Sequence, residues 1–285
     1  MRTFPTASRI RRILVATASL SVFLGVLPAP GTPEVSAIAW SDESLAATAP
    51  AFVTSIHTSY RPRAKNQFCT GALIAPSWVL TAAHCYDDIE GMPTSVRVDG
   101  KIVRRVVAVH MPPAYTRLPV ADAYLSGADI ALIRLGRPVI GVVPAGLPDE
   151  LSPATAGPAN VYGYGLDELG RDPRRLGARR VDIVSARLAR TLYPFLPVWQ
   201  IAASGERLLA VPGPDGTVSW LPRPDGAVCE GDSGGPLVTS STDTPVVIGV
   251  VSYGYDCAKP VPSVYTKVFA HMKWLRKTIR ATPGH

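Results

Sequence analysis

Long apolar runs are scarce in this sequence of 285 residues. One run near the N-terminus, 13–27, is short for a bilayer span, and no later stretch is long and apolar enough to cross a membrane. Charge is also modest, because 18% of the residues are Asp, Glu, Lys or Arg whereas 47% are hydrophobic. This balance excludes a disordered chain and indicates a globular body.

The sequence has no Cys-x-x-Cys pair and no visible internal repeat. Solenoid folds are therefore excluded, and a zinc site is not expected. The four cysteines are Cys69, Cys85, Cys229 and Cys257. An even number behind a secretory leader favours disulfides in an oxidising compartment. Of the three pairings that four cysteines allow, local pairing of 69 with 85 and 229 with 257 is the simplest.

The N-terminus has the layout of a secretory signal peptide. Arginines at 2, 9, 11 and 12 precede the apolar run, prolines at 28 and 30 end it, and small residues at 35–37 suit signal peptidase. We therefore predict a signal peptide over 1–37, including any short pro-segment, and a secreted, extracellular protein. A membrane-anchored N-terminus is the alternative.

Loss of this leader removes four Arg and one Glu, so the net charge falls from +7 to +4. A surplus of this size is typical of a solvated surface. An arginine cluster at 174–180 has no interleaved aromatic residues, so nucleic-acid binding is not expected. Arginine far outnumbers lysine and Ala and Pro are abundant, which suggests a GC-rich, bacterial genome.

Short β-rich runs separated by Gly, Pro, Asp and Ser recur along the chain and predict an all-β fold. One of them is 181–187. The runs form two sets, before and after 136–158, which indicates two β-modules. A hairpin is predicted with its loop at 212–216. Apolar residues at positions 268, 272, 275 and 279 share one helical face and predict a C-terminal helix over about 268–280.

Three segments, 81–85, 129–132 and 231–236, contain residues that can perform acyl transfer together. A serine hydroxyl is a poor nucleophile until a base takes its proton, and a neutral imidazole does this near neutral pH. A buried carboxylate holds the required imidazole tautomer. His84, Asp129 and Ser233 are therefore the candidate catalytic triad, and the N–H groups of Gly231 and Ser233 are the candidate oxyanion hole.

With these motifs in this order, the chain resembles the trypsin/chymotrypsin-like serine protease family from about residue 38 to the C-terminus. Segments 68–74, 161–165, 251–254 and 264–268 are similar to further motifs of that family. The resemblance implies two six-stranded antiparallel β-barrels, at about 38–146 and 147–267, followed by a C-terminal α-helix. It also implies an endopeptidase that forms an acyl-enzyme, and a disulfide between Cys69 and Cys85.

The same resemblance implies a buried ion pair between Asp232 and a new N-terminal ammonium at Ile38. The chain departs from the family here, because segment 38–41 lacks the usual glycine pair and no basic residue precedes Ile38. We therefore expect cleavage after Ala37, by signal peptidase itself or by a separate protease.

The pocket for the substrate side chain before the cut is placed by motif position. Ala227 is predicted at the base of the pocket with Val228 beside it, and Gly254 and Ser263 form its walls. The backbone of Ser252, Tyr253 and Gly254 is predicted to hydrogen-bond an extended substrate. The base has no carboxylate, which disfavours Lys or Arg, and Val251 replaces the histidine of glutamate-selective relatives. An apolar pocket remains, which predicts cleavage after medium apolar or aromatic residues.

Two alternative functions are a non-catalytic binding protein on the same fold and a serine esterase. No cofactor and no metal are expected, because the acidic residues that follow His84 show no complete calcium-ligand pattern. The expected partners are a polypeptide substrate and a proteinaceous inhibitor, with no nucleic acid and no membrane after signal removal. The protein is expected to be a monomer.

Overall fold

The computed structural model describes residues 38–59, 66–87, 89, 91–116, 127–149, 157–172, 175–212, 218–225, 227–239, 245–254 and 261–282. All of them belong to one compact unit, Val35–His285. The predicted signal peptide and Cys257 lie outside the described residues.

The first half of the chain forms a closed antiparallel barrel with the strand order β1-β2-β3-β6-β5-β4. Its strands are β1 (Val53–His57), β2 (Gln67–Ala75), β3 (Trp78–Thr81), β4 (Ser95–Val98), β5 (Ile102–His110) and β6 (Ala131–Leu135). Branched apolar residues dominate these strands and fill the barrel, where Ile56, Leu73, Leu80 and Ile133 are almost fully buried. Each such side chain contributes about 1.5–3 kcal/mol of burial free energy.

The second half forms a sheet with the strand order β10-β9-β13-β12-β11-β7-β8, and β8 also pairs with β9. That extra pairing closes a second ring of six strands. Its strands are β7 (Gly157–Gly163), β8 (Gly177–Ile183), β9 (Gln200–Pro212), β11 (Pro236–Thr239), β12 (Val247–Tyr253) and β13 (Ser263–Lys267). The predicted fold of two six-stranded antiparallel barrels is thereby confirmed.

A two-stranded ribbon extends the second barrel. The strand β10 (Val218–Asp225) pairs with the far part of β9, from Pro212 opposite Val218 to Gly205 opposite Asp225. The predicted hairpin is present, and its strands are longer than expected. The strand predicted over 181–187 is wrong at both ends, because β8 starts at Gly177 and a helix begins just after Ser185, whose hydroxyl accepts a bond from the Leu188 N–H.

Four α-helices occur in the part of the chain that the structure describes: α1 (Glu43–Ala47), α2 (Pro113–Thr116), α3 (Ala186–Leu192) and α4 (Val268–Ala281). The predicted C-terminal helix is confirmed as α4, which buries Val268, Met272 and Leu275. None of these helices has the length and apolar character needed to span a membrane.

Candidate active site

His84 and Asp129 meet at one end of the first barrel. Strands β3 and β6 are antiparallel with Thr81 opposite Ala131, so residues just after β3 and just before β6 lie together. The His84 Nδ1 atom lies 2.8 Å from Asp129 Oδ2, and the His84 backbone N–H donates to Oδ1 over 3.0 Å. The Ser252 hydroxyl also donates to Oδ2, over 2.6 Å. Asp129 is fully buried, and these three donors stabilise its charge.

The carboxylate of Asp129 fixes the chemistry of the His84 ring. A carboxylate opposite Nδ1 favours a proton on that atom, which leaves Nε2 free to accept one. Burial lowers the pKa of His84, but the charge of Asp129 and its hydrogen bond outweigh burial, so that the pKa is raised above 6.5. The side chain is 27% exposed and is accessible to a reactant.

Ser233 lies in a tight loop whose backbone is fixed on several sides. Gly231 and Gly234 have φ angles of +89° and +81°, which residues other than glycine rarely adopt. The Glu230 carbonyl accepts a bond from the Leu166 N–H over 2.8 Å. Because N–H and C=O point in opposite directions across a trans peptide, the Gly231 N–H is directed away from Leu166. The two predicted oxyanion residues therefore lie in a constrained backbone.

The Ser233 loop packs against the segment that contains His84. The Cys85 Sγ atom lies 3.8 Å from the Ser233 carbonyl oxygen, and this sulfur forms the disulfide with Cys69 on β2. Cys229 is also disulfide-bonded. The disulfide between Cys69 and Cys85 is thus in direct contact with the Ser233 loop and belongs to the turn that contains His84.

We expect Gly234→Ala to destabilise the protein severely. A Cβ atom at this position would lie 2.0 Å from Thr81 Oγ1 and 2.4 Å from the Thr70 carbonyl oxygen, and the φ angle would stay positive. The combined overlap and backbone strain should cost about 3 kcal/mol or more. Chemical denaturation measures this loss. Gly141→Ala is the matched control, because it shares a positive φ of +82° but has nothing within 4 Å, so only the smaller backbone penalty is expected. Equal losses for the two variants would contradict the prediction.

Asp232 is fully buried and accepts hydrogen bonds from the N–H groups of Cys229 and Gly165, each over 2.8 Å. Burial raises its pKa to about 7, although both bonds lower it. The three ion pairs found among the described residues do not include Asp232. The fully buried Ile38 lies beside it, because a Cβ added to Gly163 would meet Asp232 Oδ1 at 2.0 Å and Ile38 Cδ1 at 3.0 Å.

The structure brings three of the predicted pocket residues together. A Cβ added to the exposed Gly254 would lie 3.6 Å from both Ser263 Oγ and Val228 Cγ2. Ala227 is fully buried, and its carbonyl accepts a bond from the Ala39 N–H over 3.1 Å. The half-buried Tyr253 donates its hydroxyl to Gln200 Oε1 over 3.2 Å. No carboxylate occurs among the predicted pocket residues.

Residues 45–205 and 215–275 match the Trypsin family model. The chain belongs to the trypsin family. It is 31% identical over 233 residues to transmembrane protease serine 9 of Rattus norvegicus, covering 76% of this chain and 20% of that protein. It is 30% identical over 235 residues to lectizyme of Glossina austeni, covering 75% of this chain and 78% of lectizyme.

The trypsin-family fold is also seen in neuropsin, described as a serine protease expressed in the limbic system of mouse brain. That structure matches with a TM-score of 0.62 and 26% identity, covering 81% of this chain and 95% of neuropsin. Family membership makes the chain a serine-type endopeptidase. These relatives are animal proteins, and they give no support to the bacterial origin suggested by composition.

Sequence reasoning about this trypsin-family chain missed two contributors to the site. Ser252 was assigned to substrate binding through its backbone, whereas its side chain also bonds Asp129. Thr70 was noticed only as part of a motif, yet its backbone N–H and hydroxyl bond the carbonyls of Ser233 and Gly231. The only local signal was that a polar residue stands between Cys69 and Gly71.

One group of metal-ligand atoms occurs in the described part of the chain. The ligand atoms of Cys69, His84 and Cys85 lie within 4.8 Å of one another. Both sulfurs belong to the disulfide and therefore lack the thiolate charge that binds metals. This cluster does not provide a metal site.

Proposed function

We propose that the chain is a secreted endopeptidase that cleaves polypeptides through an acyl-enzyme, with Ser233 as nucleophile, His84 as general base and Asp129 as its orienting carboxylate. The buried Asp129 bonded to His84 Nδ1 at 2.8 Å supports this most directly. The hydrogen bonds to Asp129 stabilise its buried carboxylate, and the carboxylate in turn stabilises the imidazolium that His84 becomes during the reaction.

In the first half of the reaction, the Ser233 hydroxyl gives its proton to His84 Nε2 while its oxygen bonds to the substrate carbonyl carbon. The carbonyl oxygen gains the negative charge and accepts bonds from the N–H groups of Gly231 and Ser233. The C–N bond then breaks, and His84 gives its proton to the leaving amine. A water molecule then attacks the acyl carbon while it gives a proton to His84. The bond to the Ser233 oxygen breaks, His84 returns the proton to that oxygen, and the carboxylic acid is released.

We also propose that cleavage after Ala37 completes the site. Ile38 has a φ angle of +69°, a conformation that costs a branched residue about 1–2 kcal/mol. This angle is defined by the peptide bond to Ala37, so cutting that bond removes the constraint. The new ammonium would be formed next to Asp232, a buried carboxylate that has no cation among its described neighbours.

Removal of residues before Ile38 should stabilise the protein more at pH 7.5 than at pH 5. In the uncut chain the folded pKa of Asp232, about 7, is above its unfolded value of 3.8, so stability is lost as the pH rises from 3.8 to about 7. An adjacent ammonium lowers that pKa and removes the loss. We expect the melting temperature of protein starting at Ile38 to exceed that of protein retaining 35–37 by several degrees at pH 7.5.

Scanning calorimetry of the two forms at both pH values measures this difference, and N-terminal sequencing of the secreted protein gives the natural start. A start at Trp40 or beyond would contradict the processing proposal. A difference in melting temperature that is equal at the two pH values would contradict the role of Asp232.

The proposed substrate preference is for medium apolar or aromatic side chains before the cut. The base and walls combine buried Ala227 and Val228 with Gly254 and Ser263, and Val251 is buried nearby. Among these described pocket residues, none carries a charge that could pair with Lys, Arg, Asp or Glu. We further propose that the protein acts as a monomer and accepts a proteinaceous inhibitor that occupies the site as a substrate does.

Two measurements on the purified protein test the function. An organophosphonate should label Ser233, as located by peptide mass spectrometry, and a mixed peptide library should be cut after apolar residues. Labelling without peptide cleavage would favour an esterase, and the absence of labelling would favour a binding protein. Cleavage chiefly after Lys or Arg would keep the endopeptidase and overturn the proposed preference.

A further inference from the structure

Thr70 contacts the backbone of both residues that are proposed to form the oxyanion hole. Its hydroxyl donates to the Gly231 carbonyl over 2.9 Å, and its N–H donates to the Ser233 carbonyl over 2.8 Å. The Gln67 side-chain amide donates to the same Gly231 carbonyl over 3.2 Å. The N-terminal half of β2, which belongs to the first barrel, therefore supports the loop that contains Gly231 and Ser233.

The Thr70 side chain is held in one orientation. It is fully buried, and while its hydroxyl donates to Gly231, the same oxygen accepts a bond from the Tyr164 N–H over 3.0 Å. The Thr70 carbonyl accepts a bond from the Thr81 hydroxyl over 2.7 Å, and Thr81 ends the strand that leads to His84. Through its hydroxyl and its backbone carbonyl, Thr70 thus joins three separate segments beneath the site.

Gly231 is the part of the loop that most needs such support. It has no side chain and a φ of +89°, so the peptide planes on either side of it rotate easily. The plane before it is held through the Glu230 carbonyl and the Leu166 N–H. The plane after it is held through its own carbonyl by Thr70 and Gln67. With both planes fixed, the Gly231 N–H has a fixed direction.

We propose that Thr70 is a positioning residue whose hydroxyl preorganises the oxyanion hole of this chain. The inference rests on the proposed acyl-enzyme mechanism, in which the Gly231 N–H meets charge that develops only in the transition state. Donors whose direction is already set at that moment lower the barrier without strengthening substrate binding. Thr70 belongs to the first barrel and holds Gly231. The adjacent residue, Asp232, is held by hydrogen bonds from residues of the second half of the chain.

The test compares Thr70→Val, which has nearly the same shape without the hydroxyl, with Thr70→Ser, which keeps it. Rates are expressed per active site titrated with a burst substrate, so that a misfolded fraction does not count. We expect Thr70→Val to lower kcat about 10-fold, less than the roughly 10²–10³-fold effect of losing an oxyanion donor, with KM nearly unchanged. Affinity for a peptide aldehyde should fall in parallel with kcat, and Thr70→Ser should restore most of both.

Thr266→Val is the matched control, because Thr266 is also buried in a strand but its hydroxyl has no hydrogen-bond partner in the described structure. It should leave kcat unchanged. If Thr70→Val does not fold, Gln67→Met removes the other donor to the Gly231 carbonyl and should lower kcat about 2-fold to 5-fold, as expected for one weaker bond.

A Thr70→Val protein with fewer titratable sites but a normal kcat per site would overturn the inference, as would equal losses in Thr70→Val and Thr266→Val. A Gln67→Met protein with unchanged kcat would also overturn it where Thr70→Val gives no folded protein. Failure of the unmodified protein to react at Ser233 is a different result, since it removes the proposed mechanism and this inference together.

Discussion

Ser233→Ala is expected to lower kcat for a peptide substrate by about 10⁶-fold, the scale at which loss of a catalytic serine abolishes covalent catalysis. Alanine removes the oxygen that bonds to the substrate carbonyl and leaves His84 with no proton to accept from it. The backbone bonds of the loop, including that from the Thr70 N–H to the Ser233 carbonyl, do not involve the hydroxyl and should remain. KM should therefore change little.

Single-turnover kinetics and organophosphonate labelling measure this loss, with far-ultraviolet circular dichroism to show that the variant is folded. Residual hydrolysis of about 10³-fold over water is expected from substrate binding and the oxyanion donors. A folded variant that kept activity within tenfold of the unmodified protein would show that another residue supplies the nucleophile.

Asp129→Asn is expected to lower kcat by about 10⁴-fold and to move the pH profile. The asparagine amide presents a donor to His84 Nδ1, which stabilises the tautomer with its proton on Nε2, where a proton cannot be accepted from Ser233. The charge and hydrogen bond that raise the pKa of His84 are also lost. Activity needs a neutral imidazole, so the acid limb of kcat/KM should lie above pH 6.5 in the unmodified protein and at lower pH in the variant.

The pH dependence of kcat/KM, measured for both proteins from pH 4 to 9, checks this result. Asp99→Asn is the matched control, because Asp99 belongs to an exposed ion pair with Lys101 and should leave the acid limb in place. An acid limb that does not move in Asp129→Asn would mean that a group other than His84 controls the profile.

The sequence predicts the proposed catalytic side chains because each lies in a short segment with its own local signal. His84 follows a buried strand, Asp129 precedes one, and Ser233 lies among glycines that permit a tight loop. The approach of His84 to Asp129 depends on the antiparallel register of β3 and β6, which the predicted barrel implies. Reaction type and fold class were therefore accessible without coordinates.

The support beneath the loop was not accessible in the same way. Thr70 and Gly231 are 161 residues apart, and nothing local in either segment indicates that a hydroxyl meets a carbonyl there. The short helix α3 was missed for a different reason, since it has only 7 residues and its serine cap lies in a run that also favours a strand. Long-range hydrogen bonds and short elements carry little periodic signal.

The N-terminal segment shows how a departure from a family pattern is accommodated. Trp40 lies in the segment that lacks the expected glycine pair, and its φ of +59° is in a region that glycine adopts at no steric cost. The Trp40 N–H donates to Glu168, and the Arg179 guanidinium donates to the Ala39 carbonyl over 3.0 Å. These two bonds hold the backbone beside Trp40 in this conformation and offset part of its strain.

The ribbon of β9 and β10 has a consequence for solubility. β10 ends the strand order of its sheet, and such an outer strand can recruit a strand from another molecule and start aggregation. Pro222 and Pro224 lie at alternate positions of β10 and lack N–H groups, while the strand stays paired with β9 at both positions. The missing donors therefore fall on the unpaired side, and intermolecular sheet growth from this ribbon is disfavoured.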